Sequence, residues 1–308
     1  MARRERPSST VLRLSIAVLA PAWIAACGGS SKDEQGGTQP VEEENWQPLL
    51  SGDWTLPQGT EGYTCVRQTV TEDLYVKAFD AINPLGTHHT LLTMGEPNAP
   101  DGVTLCNAGE NRFLSAFGSG VGSNPLHFPP GVALRIPAGT QLLLNLHLFN
   151  TGTGDLSGTS GTRIQTMPAQ EVTSIAEGIL AGTIAISIPP GETRVTTGYC
   201  TMSNDATVFA VAPHMHVLGV YEKVVAESAA HGEVTLFDDA YDFNEQSYYP
   251  VEPLALAKGD RIRVECTHRN DTTKTVTFGE STLSEMCFAG LYRYPADGSV
   301  FICVDRGQ

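Results

Sequence analysis

The sequence is short of basic residues: it has 19 Lys and Arg against 34 Asp and Glu, and its formal net charge is −15. Nucleic-acid binding depends on basic side chains that neutralise phosphates, so a chain with this balance is a poor nucleic-acid binder. The acidic balance is typical of an exported soluble protein. It says nothing specific about a substrate.

The sequence also lacks an apolar run near its N-terminus that is long enough to anchor it in a bilayer. The apolar stretch at about residues 12–24 is too short to span as a stable helix, and it follows an Arg-rich start. This pattern predicts a signal peptide over residues 1–26. Residues 27–45 are polar and show no hydrophobic periodicity, so they are predicted to form a flexible linker.

The end of the predicted signal peptide reads Ile-Ala-Ala-Cys, with Cys27 last. This stretch resembles the lipobox of bacterial lipoproteins, which implies cleavage before Cys27 and acylation of its thiol. Cleavage after Ala26 without a lipid is the alternative. The cysteine at the cleavage point and the polar linker after it favour the lipobox. We therefore expect an exported lipoprotein, on the periplasmic side or at the cell surface, that touches the membrane only through its lipid anchor.

A third absence is that of long amphipathic helices after residue 44. Short runs rich in Val, Ile, Thr and Leu alternate there with clusters of Gly, Pro, Asn and Asp, for example at residues 132–136, 141–147, 193–197, 207–211 and 261–266. This alternation predicts an all-β fold of antiparallel, jelly-roll-like β-sandwiches.

The length of 308 residues suits two tandem domains. A stretch rich in Gly, Ser and Thr at residues 151–162, predicted to be a surface hairpin or loop, precedes the best boundary. We predict domains at residues 46–168 and 169–308.

Seven cysteines are present, and acylation of Cys27 would leave an even number. An even count in an exported chain predicts disulfides, here three, although copper–thiolate ligation is a less favoured reading for any one cysteine. The residues alone leave the pairing open among Cys65, Cys106, Cys200, Cys266, Cys287 and Cys303.

His214 and His216 flank Met215 directly after a strand-like run. Residues i and i+2 of a strand face the same side with Cα atoms about 6–7 Å apart, so two imidazoles at this spacing can close on one metal ion. Two half-buried histidines with backbone partners are the alternative. In an exported all-β chain the metal site is the favoured interpretation.

The neighbours His88 and His89 would face opposite sides of a regular strand, so both can reach one metal only at a bulge, bend or strand end. Gly86 would permit such a bend. An exposed polar pair at a loop edge fits this feature equally well. His147 lies in an apolar run and needs a polar partner, which can be a backbone carbonyl or a metal, and the pair at 88 and 89 favours the metal.

Met286 precedes Cys287, and its thioether would select copper(I) over zinc if it were a ligand. Most methionines fill cores, and that is the interpretation for Met94, Met202 and Met215. We interpret the remaining histidines as structural or surface residues: His127, His231 and His268.

The histidines and Met286 follow one another along the chain in a definite order. Four short motifs accompany them: Tyr241-Asp-Phe-Asn-Glu-Gln, Asn270-Asp-Thr-Thr, Gly279-Glu-Ser-Thr and Glu285-Met-Cys. From about residue 64 to 303 the pattern resembles the copper type II, ascorbate-dependent monooxygenases, the family of peptidylglycine α-hydroxylating and dopamine β-monooxygenases. The family more often has Tyr after the third histidine, where this chain has Leu148.

The resemblance implies two copper ions per chain. One would be held in the first domain by His88, His89 and His147. The other would be held in the second domain by His214, His216 and Met286, and these three would carry the catalysis. The disulfides it implies are Cys65–Cys106, Cys200–Cys303 and Cys266–Cys287. It further implies hydroxylation of a C–H bond with O2 at the His/Met site, electrons supplied across a cleft from the all-His site, and ascorbate or a similar reductant.

The substrate side departs from the family pattern. The positions that hold the peptide in the amidating members are Ala212, Phe288 and Gly290 here, and none can grip a carboxylate. A small organic substrate is therefore expected, and Phe288 suggests an apolar one. Two other readings exist: a non-catalytic copper-binding or delivery lipoprotein, and a structural surface protein with incidental histidines. Two complete ligand sets in order favour the enzyme.

Overall fold

The computed structural model describes residues 45–107, 109–110, 114–279, 281–298 and 301–304. The signal peptide and Cys27 lie outside the described residues. The first ten strands are β1 (Gln47–Leu56), β2 (Glu61–Thr69), β3 (Leu74–Ile82), β4 (Thr87–Gly95), β5 (Gly102–Leu105), β6 (Leu114–Gly120), β7 (Leu126–His127), β8 (Val132–Ile136), β9 (Gln141–Phe149) and β10 (Leu156–Thr166).

A single 3₁₀ turn at Ala169–Glu171 precedes the other strands. These are β11 (Ser174–Thr183), β12 (Ser187–Ile188), β13 (Thr193–Thr201), β14 (Ala206–His214), β15 (Gly219–Ser228), β16 (Gly232–Ala240), β17 (Tyr249–Leu256), β18 (Arg261–Arg269), β19 (Val276–Thr277), β20 (Cys287–Tyr294) and β21 (Ile302–Cys303).

Within the described chain the strands form four sheets. The largest runs β1-β10-β3-β8-β11-β20-β14-β17, with β7 paired to β3 and β21 paired to β11. A five-stranded sheet has the order β5-β2-β9-β4-β6, a four-stranded sheet the order β13-β18-β15-β16, and β12 pairs with β19. The all-β prediction is confirmed. The pairing is antiparallel except where β11 runs parallel to β8 and to β21.

Two hydrophobic cores lie between these sheets. The five-stranded sheet covers one end of the large sheet (β1, β10, β3 and β8), and residues such as Phe79, Phe117 and Leu144 fill the first core. The four-stranded sheet covers the other end (β11, β20, β14 and β17), where Ile179, Val224 and other apolar residues form the second core. The predicted domain boundary near residue 168 stays a prediction, since residues 44–308 group as one unit by their contacts.

The central strand β9 shows how sequence period sets the position of the site. The leucines at 142, 144, 146 and 148 belong to the first core. Alternate residues of a strand face opposite sides, so Asn145 and His147 lie on the other face of the sheet. Both are buried, at 5% and 4% exposed. The polar face of β9 therefore carries the chemistry.

The predicted loop at residues 151–162 is wrong for its second half, which belongs to β10. Small residues are needed there by packing: a Cβ on Gly158 would lie 2.8 Å from the Trp54 ring, and one on Gly161 would lie 2.7 Å from the Leu50 carbonyl oxygen. The Gly-, Ser- and Thr-rich composition, which is typical of loops, is here explained by close packing of β10 against β1.

Three disulfides join the strands: Cys65–Cys106, Cys200–Cys303 and Cys266–Cys287. They are the pairs that the resemblance implied. Disulfides persist in oxidising compartments, so they fit an exported protein. Among the described residues, no helix has the length and apolar character needed to cross a membrane.

Candidate metal centres

A β-bulge in β4 brings His88 and His89 to the same site. His89 lies opposite His147 of β9, and the register shifts between Thr87 and His89, so that His88 is the extra residue. A bulge changes the direction in which side chains point. A bulge is one of the ways, predicted from the sequence, in which two adjacent histidines can share one metal. Gly86 precedes it at φ +99°, where a Cβ would also meet the Trp54 ring at 2.7 Å.

The three imidazoles of this first set converge through their Nδ1 atoms. Nδ1 of His89 lies 2.9 Å from Nδ1 of His88 and 3.4 Å from Nδ1 of His147. One ligand atom from each residue lies within 4.8 Å of the others, as one metal ion requires. The structure therefore assembles all three histidines of the first predicted ligand set.

Hydrogen bonds on the far side of the rings set their tautomers. Nε2 of His147 donates to Oε1 of Glu61 at 2.6 Å, and Nε2 of His88 donates to Oδ1 of Asn244 at 2.7 Å. The Asn244 amide is oriented because its Nδ2 donates to Asp242. Both rings then present an unprotonated Nδ1 to the site, while His89 has one proton at most to share between them. A bound cation would satisfy all three nitrogens, and outer partners of this kind are typical of metal-ligating histidines.

Burial favours the neutral form of His89 and His147. It lowers the pKa of His89 well below its usual range, with the nearby His147 and His88 adding to the effect. Burial also lowers the pKa of His147, although the bond to Glu61 opposes this. The Tyr63 ring stacks on His147 with centroids 4.4 Å apart. Neutral imidazole is the form that binds metal ions.

The second histidine pair lies where β14 ends. His214 is the last residue of β14, Met215 is fully buried in the second core, and His216 follows in the connecting segment. The two rings lie 5.7 Å apart between centroids. The sequence predicted a strand at residues 207–211 and strand spacing for both histidines. Strand β14 ends at His214, two residues before His216, but the alternation around Met215 still places both rings at one cavity.

The tautomers of this pair are opposite to those of the first set. Nδ1 of His214 donates to Oε1 of Gln246 at 3.2 Å, and Nδ1 of His216 donates to the Ser284 carbonyl at 3.0 Å. The Gln246 amide is oriented because its Nε2 donates to the carbonyl of Phe243. Both rings therefore present Nε2 as the free ligand atom. Burial lowers the pKa of His214 to about 4.

Two buried carboxyl groups hold the backbone of this segment. Glu285 accepts bonds from the amides of His216 at 3.0 Å and Leu218 at 2.7 Å. Glu222 accepts from the amide of His214 at 3.1 Å, and burial raises the pKa of this carboxyl well above its usual range. These contacts fix the backbone from which both rings project.

Met286 lies beside the second pair and lines the same cavity as His214 and His216. Its neighbour Cys287 is held to Cys266 of β18, and Nε2 of His268 donates to the Met286 carbonyl at 3.1 Å. Two imidazoles and a thioether form a donor set suited to copper and poorly suited to zinc. The residues present fit the metal that the sequence pattern implied.

One cavity of about 110 Å³ reaches both sets. It is lined by His89 of the first set, by all three residues of the second set, and by Tyr63, Leu91, Asn145, Phe243, Gln246 and Thr282. The Phe243 ring lies between the two sets, with centroids 5.1 Å from His88 and 6.4 Å from His216. The resemblance implied two sites apart from each other across a cleft. In this structure they face each other over a single aromatic ring.

Sequence reasoning missed the residues that orient the ligands. It gave no role to Glu61, Tyr63 or Glu222, and His268 was interpreted as structural without its contact to Met286. Phe288 was thought to indicate an apolar substrate, but it is buried at 2% exposed and is absent from the described cavity lining. One signal was available: Phe243, Asn244 and Gln246 all belong to the motif noted at residues 241–246.

Residues 173–308 match the sequence profile of the family described as "Copper type II ascorbate-dependent monooxygenase, C-terminal domain". This span contains His214, His216 and Met286. Over these residues the chain is similar to the copper type II, ascorbate-dependent monooxygenases. The family is copper-dependent and ascorbate-dependent, which agrees with the donor chemistry of both ligand sets.

Two human proteins are similar to the chain over a longer stretch than that span. The chain is 26% identical over 273 residues to "Putative DBH-like monooxygenase protein 2" of Homo sapiens, covering 78% of this chain and 54% of that protein. It is 29% identical over 224 residues to "DBH-like monooxygenase protein 1" of Homo sapiens, covering 65% and 35%. The chain thus spans about half the length of the first relative and about a third of the second.

A solved structure, "Crystal structure of dimeric latent PorU from Porphyromonas gingivalis", aligns with 77% of this chain and 25% of that chain. The identity is 9% and the TM-score is 0.18, so the alignment carries no argument about fold or function.

Proposed function

We propose that this protein is a two-copper monooxygenase that hydroxylates a C–H bond of a small organic molecule, with O2 and a one-electron reductant such as ascorbate. The observation that carries the proposal is that one cavity reaches both ligand sets, through His89 and through the whole second set, and that outer hydrogen bonds fix the free nitrogen atom of His88, His147, His214 and His216. The first set comprises His88, His89 and His147. The second comprises His214, His216 and Met286.

Bound copper would supply one-electron redox chemistry and the activation of O2. The residues of the chain would hold and orient it. Glu61 and Asn244 turn Nδ1 of their histidines inward, and Gln246 and the Ser284 carbonyl leave Nε2 free. The Met286 thioether favours the reduced ion. Phe243, Leu91 and Met286 give the cavity an apolar part that limits the access of water.

The cavity supports a small uncharged substrate. Its described lining contains histidines, amides, the hydroxyl-bearing side chains of Tyr63 and Thr282, and apolar side chains, with no Lys, Arg, Asp or Glu. Ala212 lies opposite Gly290 in the β14–β20 pair, so neither position offers a group that binds a carboxylate. We propose a neutral aliphatic or aromatic compound rather than a peptide terminus.

The location is part of the proposal. The disulfides fit export, and the sequence before the described residues supports a signal peptide with acylation of Cys27. The protein would then carry out its reaction outside the cytoplasm while tethered by its lipid alone. Labelling with a radioactive fatty acid tests this, because Cys27→Ser should abolish incorporation.

Copper titration with a chromophoric competitor tests the ligand sets. The wild-type protein should bind two ions per chain, and His147→Ala and Met286→Ala should each remove one. His231→Ala is the matched control, since this histidine belongs to neither ligand set and it should leave two ions bound. A stoichiometry of one, or loss of both ions in either ligand variant, would argue against two sites.

Oxygen uptake decides between an enzyme and a copper carrier. With ascorbate present, uptake should rise when a neutral hydrocarbon-like substrate is added, and a hydroxylated product should form in equal amount. The Met286→Ala variant should lose this coupled uptake. No substrate-dependent uptake over a broad panel would favour a non-catalytic copper-binding or delivery protein.

A further inference from the structure

One short segment contacts both ligand sets. Residues 242–248, here named the positioning loop, connect β16 to β17. Oδ1 of Asn244 accepts from Nε2 of His88 at 2.7 Å, and Oε1 of Gln246 accepts from Nδ1 of His214 at 3.2 Å. Two residues apart in sequence, these amides bond to histidines that lie 126 positions apart along the chain.

Both amides are oriented by bonds inside the loop. The Asn244 backbone amide and Nδ2 each donate to Oδ1 of Asp242 at 2.8 Å. Nε2 of Gln246 donates to the Phe243 carbonyl at 3.1 Å. The acceptor oxygens that meet the two histidines are thus set before any metal is bound.

The loop is seated on the end of β6. The amide of Gly120 donates to the Gln246 carbonyl at 2.5 Å, and the amide of Val121 donates to the Asn244 carbonyl at 3.1 Å. A Cβ on Gly120 would lie 2.5 Å from the Gln246 nitrogen and 2.8 Å from the Asn244 carbonyl oxygen. Both obstacles are backbone atoms, so any larger residue at this position has to displace the loop.

We propose that the positioning loop couples the two copper sites by orienting one histidine of each through Asn244 and Gln246, from a common seat on Gly120. The inference rests on the copper sites proposed above. It goes beyond them because it assigns the orientation of a ligand histidine in each site to the same loop. Outer hydrogen bonds to metal-ligating histidines typically change metal affinity by roughly 10- to 100-fold. A displacement of the seat changes both bonds at once.

The first test separates the two amides. His216→Ala leaves the first ligand set and His147→Ala leaves the second, so each background reports on one site. Asn244→Ala should weaken copper binding by roughly 10-fold or more in the first background and leave it unchanged in the second. Gln246→Ala should do the reverse. The readouts are affinity by chelator competition and the copper(II) hyperfine coupling in electron paramagnetic resonance.

The second test changes Gly120, which contacts the backbone of the positioning loop. Gly120→Ala should weaken copper binding and shift the resonance spectrum in both backgrounds. Gly118→Ala is the matched control on the same strand: its Cβ would lie 3.7 Å from the nearest atom, on Leu91, which is ordinary contact. This control should leave both sites as in the parent proteins. If Gly120→Ala does not fold, the Asn244 and Gln246 variants still test whether the loop orients one histidine of each site, on which the coupling depends, because Asn244 is exposed and its truncation opens no core cavity.

The outcomes separate this inference from the proposed function. If the two parent backgrounds each bind one copper ion but Asn244→Ala and Gln246→Ala leave affinity and spectrum unchanged, the coupling role is wrong and the copper sites stand. If each amide variant disturbs both sites to the same extent, the assignment of one amide to one site is wrong. If neither background binds copper, both proposals fall.

Discussion

The residues that decide which nitrogen faces each site are not ligands themselves. Glu61 lies 86 positions from His147, and Asn244 lies 156 positions from His88. The histidines could be proposed from their spacing, because i and i+2 geometry is local. Their hydrogen-bond partners could not, because nothing in a strand pattern tells which distant loop reaches the far edge of an imidazole. Only the fold brings these pairs together.

The buried His214 should make the stability of the metal-free protein depend on pH. Its pKa is about 4 when folded and about 6.5 when exposed, so between these values the unfolded chain binds a proton that the folded chain does not. The free energy of unfolding should therefore fall as pH drops from about 6.5 to about 4, by roughly 3 kcal/mol from this residue. Urea unfolding over this range measures the dependence.

The variant His214→Gln isolates that contribution. The raised pKa of Glu222 acts in the opposite sense, because its carboxyl binds a proton more readily when folded, and it is present in both proteins. The difference between wild type and variant should shrink steadily as pH falls from 6.5 to 4. A difference that stays constant over this range would show that His214 titrates normally in the folded protein.

At the level of strands, local pattern predicted much of the fold. The Leu-rich run at residues 141–147 predicted β9, and two adjacent histidines at one metal required a bulge, bend or strand end, of which β4 contains the bulge. The pattern failed at residues 156–162, where Gly and Thr imitate a loop but pack as β10 against β1 and β3. Alternation of apolar and polar residues indicates which face of a strand is buried. It does not indicate where a neighbouring backbone lies so close that only small residues fit.

The disulfide from β18 to β20 should matter more to copper than to stability. Cys287 is next to Met286, so Cys266→Ala combined with Cys287→Ala should weaken copper binding at the second set and cost roughly 3 kcal/mol of stability. The control is Cys200→Ala with Cys303→Ala. That bridge closes a longer span of 103 residues and should cost roughly 5 kcal/mol.

Copper titration and urea unfolding of both double variants distinguish the two effects. The control pair should lose more stability and keep both copper ions. Equal loss of copper in both pairs would mean that the bridges act only through global stability, and that Met286 is held by the rest of the fold.

Across the whole molecule, the two cores share one sheet, and strands β14 and β20 contribute residues to both cores. Phe209 and Tyr292 come from β14 and β20, yet they pack in the first core against Phe128, with ring centroids 5.0 and 4.9 Å away. The Tyr292 hydroxyl also donates to the carbonyl of Ala116 on β6. The first core is therefore completed by strands that follow residue 168, which composition alone gave no reason to expect.

This shared packing predicts that residues 45–304 unfold as one cooperative unit. Calorimetry of the metal-free protein should give a single transition with equal calorimetric and van't Hoff enthalpies. Residues 45–168 expressed alone should fail to show a cooperative transition, because Phe128 would lose two aromatic partners and β8 would lose its partner β11 and become an edge strand. Tyr292→Ala in the whole chain should destabilise it by about 3–5 kcal/mol. Two separate transitions, or a cooperatively folded 45–168 fragment, would instead support two independent domains divided near residue 168.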